Sequence, residues 1–249
     1  MKNILKIIVF IYSILILSFN VYLDYSFYND KVIDFEIKTG PVKEETIVSD
    51  EKEEQKEEKE WIVTKNSKIY INKNYIGNLK ISGTNFVEPI YKYKDNDYYL
   101  THDGRGYKKS SGATYMDYRV SKRSKKILIY GHNNDSLSLP FSILENYNDK
   151  DYLDSHKYLI LDIDGDSVKY EIFSIYIATS NWDYMRVNFD SKMNWYSHLR
   201  DLKSRSLYDT GVDISSDDDI LILQTCSKNK AYSKYSRKYM LVIAKKVKE

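Results

Sequence analysis

The stretch Asp219-Ile-Leu-Ile-Leu-Gln-Thr-Cys-Ser-Lys-Asn-Lys-Ala-Tyr-Ser-Lys-Tyr-Ser-Arg237, followed at once by the apolar run 239–244, decides how this chain reads. Two buried strands joined by a polar loop put Cys226, the only cysteine, at the end of one strand and Arg237 near the start of the next. A lone cysteine is by default a small buried hydrophobe. Three features argue otherwise here. Gln224, Thr225 and Ser227 are polar, so the thiol sits where a strand leaves the core. The arginine that follows can stabilise a thiolate or a developing oxyanion. A histidine, His132, also stands at the end of an apolar run, in Ile-Tyr-Gly-His-Asn at 129–133.

Composition sets the wider frame. The 249 residues have room for one domain plus accessory segments, and 38 basic against 36 acidic side chains leave +2, which does not mark a nucleic-acid binder. The 25 tyrosines fall in alternating patterns such as Tyr91-Lys-Tyr93. Aromatic and β-branched residues suit a pleated, half-buried surface, so the domain is expected to be mainly β with accessory helices. One cysteine excludes an internal disulfide and leaves the compartment open.

At the amino terminus Lys2 and Lys6 precede an almost wholly apolar run at 7–23, the lower limit of length for a membrane-spanning helix, with Tyr22, Tyr25 and Tyr28 for the interface. No small-x-small cleavage site follows, so the expectation is an uncleaved anchor helix rather than a signal peptide. The lysines before it place residues 1–6 in the cytoplasm and the remainder outside. Residues 24–60 then read as stalk and charged linker. The Glu/Lys run at 51–60 cannot bury enough apolar surface to fold alone, although its i,i+4 pairs allow a solvated helix.

The folded domain is expected at 61–249. Strand-like runs appear at 69–71, 78–81, 88–93, 97–100, 115–119 and 126–130, separated by turn residues. Residues 140–147 read as a short helix with proline in its first turn. The run 157–177 is the strongest hairpin, turning at Asp164-Gly165. Asp162, Asp164 and Asp166 do not make an EF-hand, because glycine falls fourth and Phe173 stands where a glutamate is required. Phe189, Met193, Tyr196, Leu199, Leu202 and Leu207 trace an amphipathic helix, with His198 one step off its stripe and so at the surface or the boundary. His102 and His156 lack Cys or His neighbours at ligand spacing, and neither a metal nor another cofactor is expected.

Should Cys226, His132 and Arg237 meet, their chemistry is that of acyl transfer. A free thiol of pKa about 8.5 is only roughly 3% ionised at pH 7, so its surroundings must supply the thiolate. The thiolate attacks a peptide carbonyl, Arg237 and backbone N–H groups steady the oxyanion, and His132 protonates the leaving amine. Water or an amine then takes the acyl group, and spacing alone leaves both open. Chain order disfavours papain-like proteases, in which the histidine follows the cysteine. Caspase-like proteases have the right order but a shorter gap and a different local signature, and the Gly-rich surroundings of an L,D-transpeptidase thiol are missing.

Together these residues resemble a sortase, most closely one of class B. The pieces that carry the resemblance are the amino-terminal anchor, Asp-Asn-Asp-Tyr-Tyr-Leu-Thr-His-Asp at 95–103, Tyr-Met-Asp-Tyr-Arg at 115–119, Ile-Tyr-Gly-His-Asn at 129–133, Leu-Gln-Thr-Cys at 223–226 and Arg237, over residues 61 to 249. Each is weak alone; the combination is specific. Class B members usually carry serine where Gln224 stands, and some have an acidic residue soon after the cysteine where this chain has Ser227 and Lys228.

The resemblance implies a closed sortase-type β-barrel with an amino-terminal helix and an added helix before the cysteine strand. It implies a membrane-anchored cysteine transpeptidase at a Gram-positive cell surface, with catalytic His132, Cys226 and Arg237 and substrate contacts from Gln224, Thr225 and Asn133. The substrates implied are surface proteins bearing a sorting signal, Asn-Pro-x-Thr-x or a related Pro-x-Thr type, cleaved after the threonine, and a peptidoglycan stem or cross-bridge amine. Two other readings stay open: a surface cysteine endopeptidase releasing to water, and a noncatalytic wall-binding β-domain with a structural Cys226. Product mass in the presence of an amine separates the first, and native thiol labelling the second.

Overall fold

In the computed structural model, which describes residues 61–64, 67–70, 72–133 and 139–248, the apolar runs become strands. β1 (Trp61–Thr64) and β2 (Ser67–Tyr70) pair with each other as a separate two-stranded sheet. β3 (Tyr75–Ile81), β4 (Val87–Tyr91), β5 (Tyr115–Met116), β6 (Lys126–Tyr130), β7 (Tyr158–Ile163), β8 (Asp166–Ala178), β9 (Ile220–Cys226) and β10 (Tyr239–Lys246) close into one barrel in the order β10-β8-β7-β3-β4-β5-β6-β9. The expectation of a mainly β, closed barrel is met. Closure removes the unpaired edges that an open sheet of this composition would expose.

Burial follows the strand periods. β7 alternates buried and half-buried residues, as a strand with one face inward should, whereas β6 is buried along its whole length. Leu128, Ile129, Ile222 and Leu223 have no exposed surface, and each such side chain contributes roughly 1.5–3 kcal/mol on leaving water. The β7–β8 hairpin turns at Asp164 and Gly165, both at positive φ (50° and 83°), the backbone that a two-residue type I′ turn needs.

Most strands join antiparallel neighbours, but β4 and β5 meet in parallel at Tyr91 and Tyr115, and β6 and β9 run parallel, with Lys126 opposite Ile220 and Tyr130 opposite Gln224. Parallel neighbours need a long crossover. Here it holds the 3-10 helix η1 (Pro140–Asn148), α2 (Lys150–Ser155), β7, β8, the turn η2 (Trp182–Met185) and α3 (Lys192–Ser204).

Three expectations need correction. Residues 97–100 are not a strand but enter the one-turn helix α1 (Tyr98–Thr101). Asp95 Oδ1 accepts from the Asp97 and Tyr98 N–H groups at 2.9 Å each, which starts a turn, and the tyrosines stack locally instead of pairing with a neighbour strand. The run 115–119 extends for only two residues before it turns. In α3 the buried face is Trp195, His198, Leu199 and Leu202, while Met193 is 73% exposed.

His198 is therefore a core residue and not a surface or boundary one. Its partner is the other polar surprise, Lys126, which is 2% exposed inside β6. The Lys126 ammonium donates to His198 Nε2 and to the Arg186 carbonyl, both at 2.8 Å, and His198 Nδ1–H donates to Asp183 Oδ2 at 3.2 Å. Burial drives the lysine down to about 7, against the pull of Asp183; burial and the adjacent Lys126 charge drive His198 down to about 4. A second buried group lies nearby. Asp117 accepts from Arg119, Tyr130 and Asn96, and despite the upward push of burial these donors hold it at about 2. Arg119 also donates to the Met185 carbonyl at 3.0 Å. Both networks thus end on η2 and its flank at Arg186, fixing that turn to the barrel.

Among the described residues no helix is long and apolar enough to cross a membrane. The anchor expected at 7–23 and the linker at 24–60 lie outside the described residues.

Candidate active site

The β6–β9 register carries past the last paired residues. The Gly131 N–H donates to the Gln224 carbonyl at 3.1 Å, and the Thr225 hydroxyl donates to the Gly131 carbonyl at 2.8 Å. Two residues beyond the Tyr130–Gln224 pair, His132 and Cys226 stand at the same end of adjacent strands. On the other side of β9, Tyr239 pairs with Cys226, and the Ser227 N–H donates to the Lys238 carbonyl at 2.9 Å. Arg237 lies two residues before Tyr239 and is exposed. All three expected catalytic residues sit at one rim of the barrel, on three consecutive strand ends.

Local packing explains the glycine before His132. A Cβ at Gly131 would come within 2.5 Å of the Phe141 ring, so any larger residue would drive η1 off the strand end. His132 itself is half-buried, and its Nε2 lies 2.9 Å from the Leu100 carbonyl of α1. A carbonyl only accepts, so Nε2 carries the hydrogen and Nδ1 is the nitrogen left for proton transfer. The turn that replaced the expected strand at 97–100 thereby selects the imidazole tautomer.

Cys226 is exposed, yet the surrounding barrel withdraws enough water to push its thiol above the ordinary value, an effect that Lys238 opposes. The thiol therefore stays largely protonated at neutral pH, and the reactive form is drawn from a minor population.

The three residues expected to touch substrate have different surroundings. Asn133 is 9% exposed; its amide donates to the Cys226 carbonyl at 2.9 Å and to Glu145 Oε1 at 3.2 Å, and its oxygen accepts from Ser142. Thr225 is 1% exposed and committed to Gly131. Asn133 and Thr225 thus fasten β6 to β9. Gln224 is half-buried, and its Oε1 accepts from the Tyr184 hydroxyl at 2.9 Å.

Sequence reasoning passed over several neighbours. Glu145 on η1 accepts from Asn133, from the Lys228 N–H at 2.7 Å and from Asn148, tying both strand exits to one carboxylate. Trp182 and Tyr184 on η2 flank Cys226 on the β10 side: Trp182 packs edge-on to Tyr239 at 5.4 Å and to Tyr184 at 6.2 Å. An isolated Trp-x-Tyr after a strand carries no periodic signal. Only the barrel order, with β8 next to β10, brings it to the thiol.

Comparison with known proteins follows the same lines. No protein-family model matches the chain. Sortase B of Listeria monocytogenes is 34% identical over 166 residues, covering 66% of this chain and 67% of that protein. Sortase B of Staphylococcus aureus is 30% identical over 182 residues, 72% of each. Among solved structures, the Staphylococcus aureus sortase B–substrate complex superposes with a TM-score of 0.64 at 29% identity, over 72% of this chain and 82% of that one. A sortase B structure complexed with triglycine gives 0.63 at 28% identity, over 71% and 82%.

Proposed function

We propose, from the premise that this chain belongs to the class B sortase family and is a cysteine transpeptidase, that it cleaves a sorting signal of the Asn-Pro-x-Thr-x or related Pro-x-Thr type after the threonine and passes the acyl group to a peptidoglycan amine. The observation that carries this reading is the shared rim: parallel β6–β9 and antiparallel β9–β10 register bring the ends that bear His132, Cys226 and Arg237 together. The substrate-bound and triglycine-bound relatives support a peptide donor and an amine acceptor.

In the first half-reaction the Cys226 thiolate adds to the threonine carbonyl carbon. Arg237 steadies the oxyanion, aided by its exposure and by the planar fork of donors it offers. The C–N bond then breaks as His132 Nδ1–H gives its proton to the departing amine, leaving a thioester. In the second half the incoming amine adds to the same carbon, its proton passes to Nδ1, and the C–S bond breaks to restore the thiolate beside the protonated imidazole. Trp182, Tyr184 and Tyr239 offer an uncharged aromatic wall to the donor peptide.

The apolar run at 7–23, with lysines before it, supports a single-pass membrane protein whose amino terminus is cytoplasmic and whose catalytic domain is extracellular, where that substrate lies.

Cys226→Ala and His132→Ala are each expected to abolish cleavage of a quenched sorting-signal peptide. Trapping the acyl-enzyme with a panel of such peptides and reading the attached mass identifies the motif. Full cleavage by the Cys226→Ala protein would end this reading.

A further inference from the structure

The loop that leaves the thiol carries cations and no acid. Across the whole chain cations and anions nearly balance, 38 to 36. Between Asp219 and Glu249 there is no acidic residue, and the eleven positions 228–238 hold Lys228, Lys230, Lys234, Arg237 and Lys238. Both ends of this loop are stapled beside Cys226, through the Ser227–Lys238 backbone bond and the Cys226–Tyr239 pair.

The loop is also built. Its 3-10 turn η3 (Lys230–Tyr232) is capped by Asn229, whose oxygen accepts from the Ala231 N–H at 3.0 Å and whose amide donates to Asn148 on η1 at 2.6 Å. Ser227 Oγ accepts from the Asn229 N–H, and the Lys228 N–H is held by Glu145.

Several cations elsewhere in the domain have acidic partners: Lys80 with Asp162, Lys122 with Asp164 and Asp166, Lys192 with Asp217, Arg205 with Asp201. Among the described residues, Lys230, Lys234, Arg237 and Lys238 form no ion pair, and Lys230, Lys234 and Arg237 are exposed. Like charges gathered on a fixed loop repel one another and make a positive potential at the mouth of the site. Such a wall attracts anions and turns away a bare ammonium.

This bears on the amine that must reach the thioester. An amine with no other charge arrives as a cation and is repelled. One that carries carboxylates is attracted overall, while the nearby cations favour its free-base form, which is the nucleophile. We propose that the 228–238 loop, through Lys230 and Lys234, selects an acceptor whose nucleophilic amine is accompanied by carboxylate groups, over an amine acceptor that carries none. The proposal rests on the transpeptidase reading and names the acceptor class for it.

Two probe acceptors test it, Gly-Glu-Glu and Gly-Gln-Gln-amide, each offered with the same donor peptide to the same preparation. The ratio of their KM values does not depend on how much active enzyme is present. At low salt the carboxylate acceptor should have the lower KM by at least about fivefold, and the gap should shrink to within about twofold near 0.5 M salt. In a Lys230→Glu/Lys234→Glu protein the preference should vanish or invert. Equal KM values with ligation proceeding, or a preference that survives charge reversal, overturn the proposal and leave transfer standing. Donor cleavage with no ligated product from either acceptor overturns transfer itself, and the proposal with it.

Discussion

The strand that carries Cys226 has two flanks of opposite character. On the β6 side the described residues near the thiol are tied into hydrogen bonds: Asn133 with the Cys226 carbonyl and Glu145, Thr225 with Gly131, His132 through Nε2 with Leu100. On the β10 side Arg237 and Lys238 form no ion pair among the described residues, and Arg237 is open to solvent. One flank fixes geometry and the other keeps charge available. A catalytic site needs both, since a satisfied network holds atoms in place while only an uncommitted cation can answer charge that arrives with substrate or develops in the transition state.

Substitutions can break this contrast or sharpen it. The largest effect in this series is expected from Arg237→Lys. If the fork geometry of the guanidinium is what holds the oxyanion, kcat should fall on the order of 10²- to 10³-fold although the charge is kept. Near wild-type kcat would reduce the β10 flank to a matter of charge alone.

On the opposite flank, Asn133→Ala removes the donor to the Cys226 carbonyl and leaves Glu145 less satisfied. A loss of about 1–3 kcal/mol in stability is expected, with kcat down roughly tenfold, since the strand end is no longer held in place. Urea unfolding and steady-state kinetics at two salt concentrations check this. Because the lost contact is a buried hydrogen bond, salt should not restore it; restoration by salt would mean that this flank, too, works through charge.

The smallest effect concerns the thiol. Its pKa lies above the ordinary value, so the rate of alkylation by iodoacetamide should climb with pH through and beyond the usual thiol range before levelling off. Lys238→Met takes away the cation that opposes this rise. It should move the profile further alkaline and slow alkylation near neutrality by about twofold, a difference that high salt erases. An unchanged profile would show that burial alone governs the sulfur.

The residues proposed to carry the chemistry could be picked out before the fold was known because each stands at one end of an apolar run. Lys-Ile-Leu-Ile-Tyr ends at Gly131-His132, and Ile-Leu-Ile-Leu-Gln-Thr ends at Cys226, so periodicity pointed to strand ends without knowing their neighbours. The 157–177 hairpin was equally readable, because Asp164-Gly165 supplies the positive φ that its turn requires. His198 escaped because a polar side chain is buried only with partners, and its partners Lys126 and Asp183 lie far from it in the chain. Tyr98-Tyr99 misled for another reason. Two aromatics in a four-residue window fit a strand and a stacked turn alike, and only the Asp95 carboxylate, two and three residues upstream of the amides it accepts from, distinguishes them. Trp182 and Tyr184 owe their place beside the sulfur to strand order, which no local pattern encodes.

The parallel joining of β6 to β9 has a consequence for how the molecule comes into being. The strand before His132 gains its second neighbour only after some ninety further residues have been made, and β10 must still slot between β9 and β8 to close the barrel. Such long-range pairing is slow to nucleate, and a chain stopped short of its last strand has no closed wall for the sulfur to sit on. Catalytic competence is therefore among the last properties this polypeptide acquires during its own biogenesis.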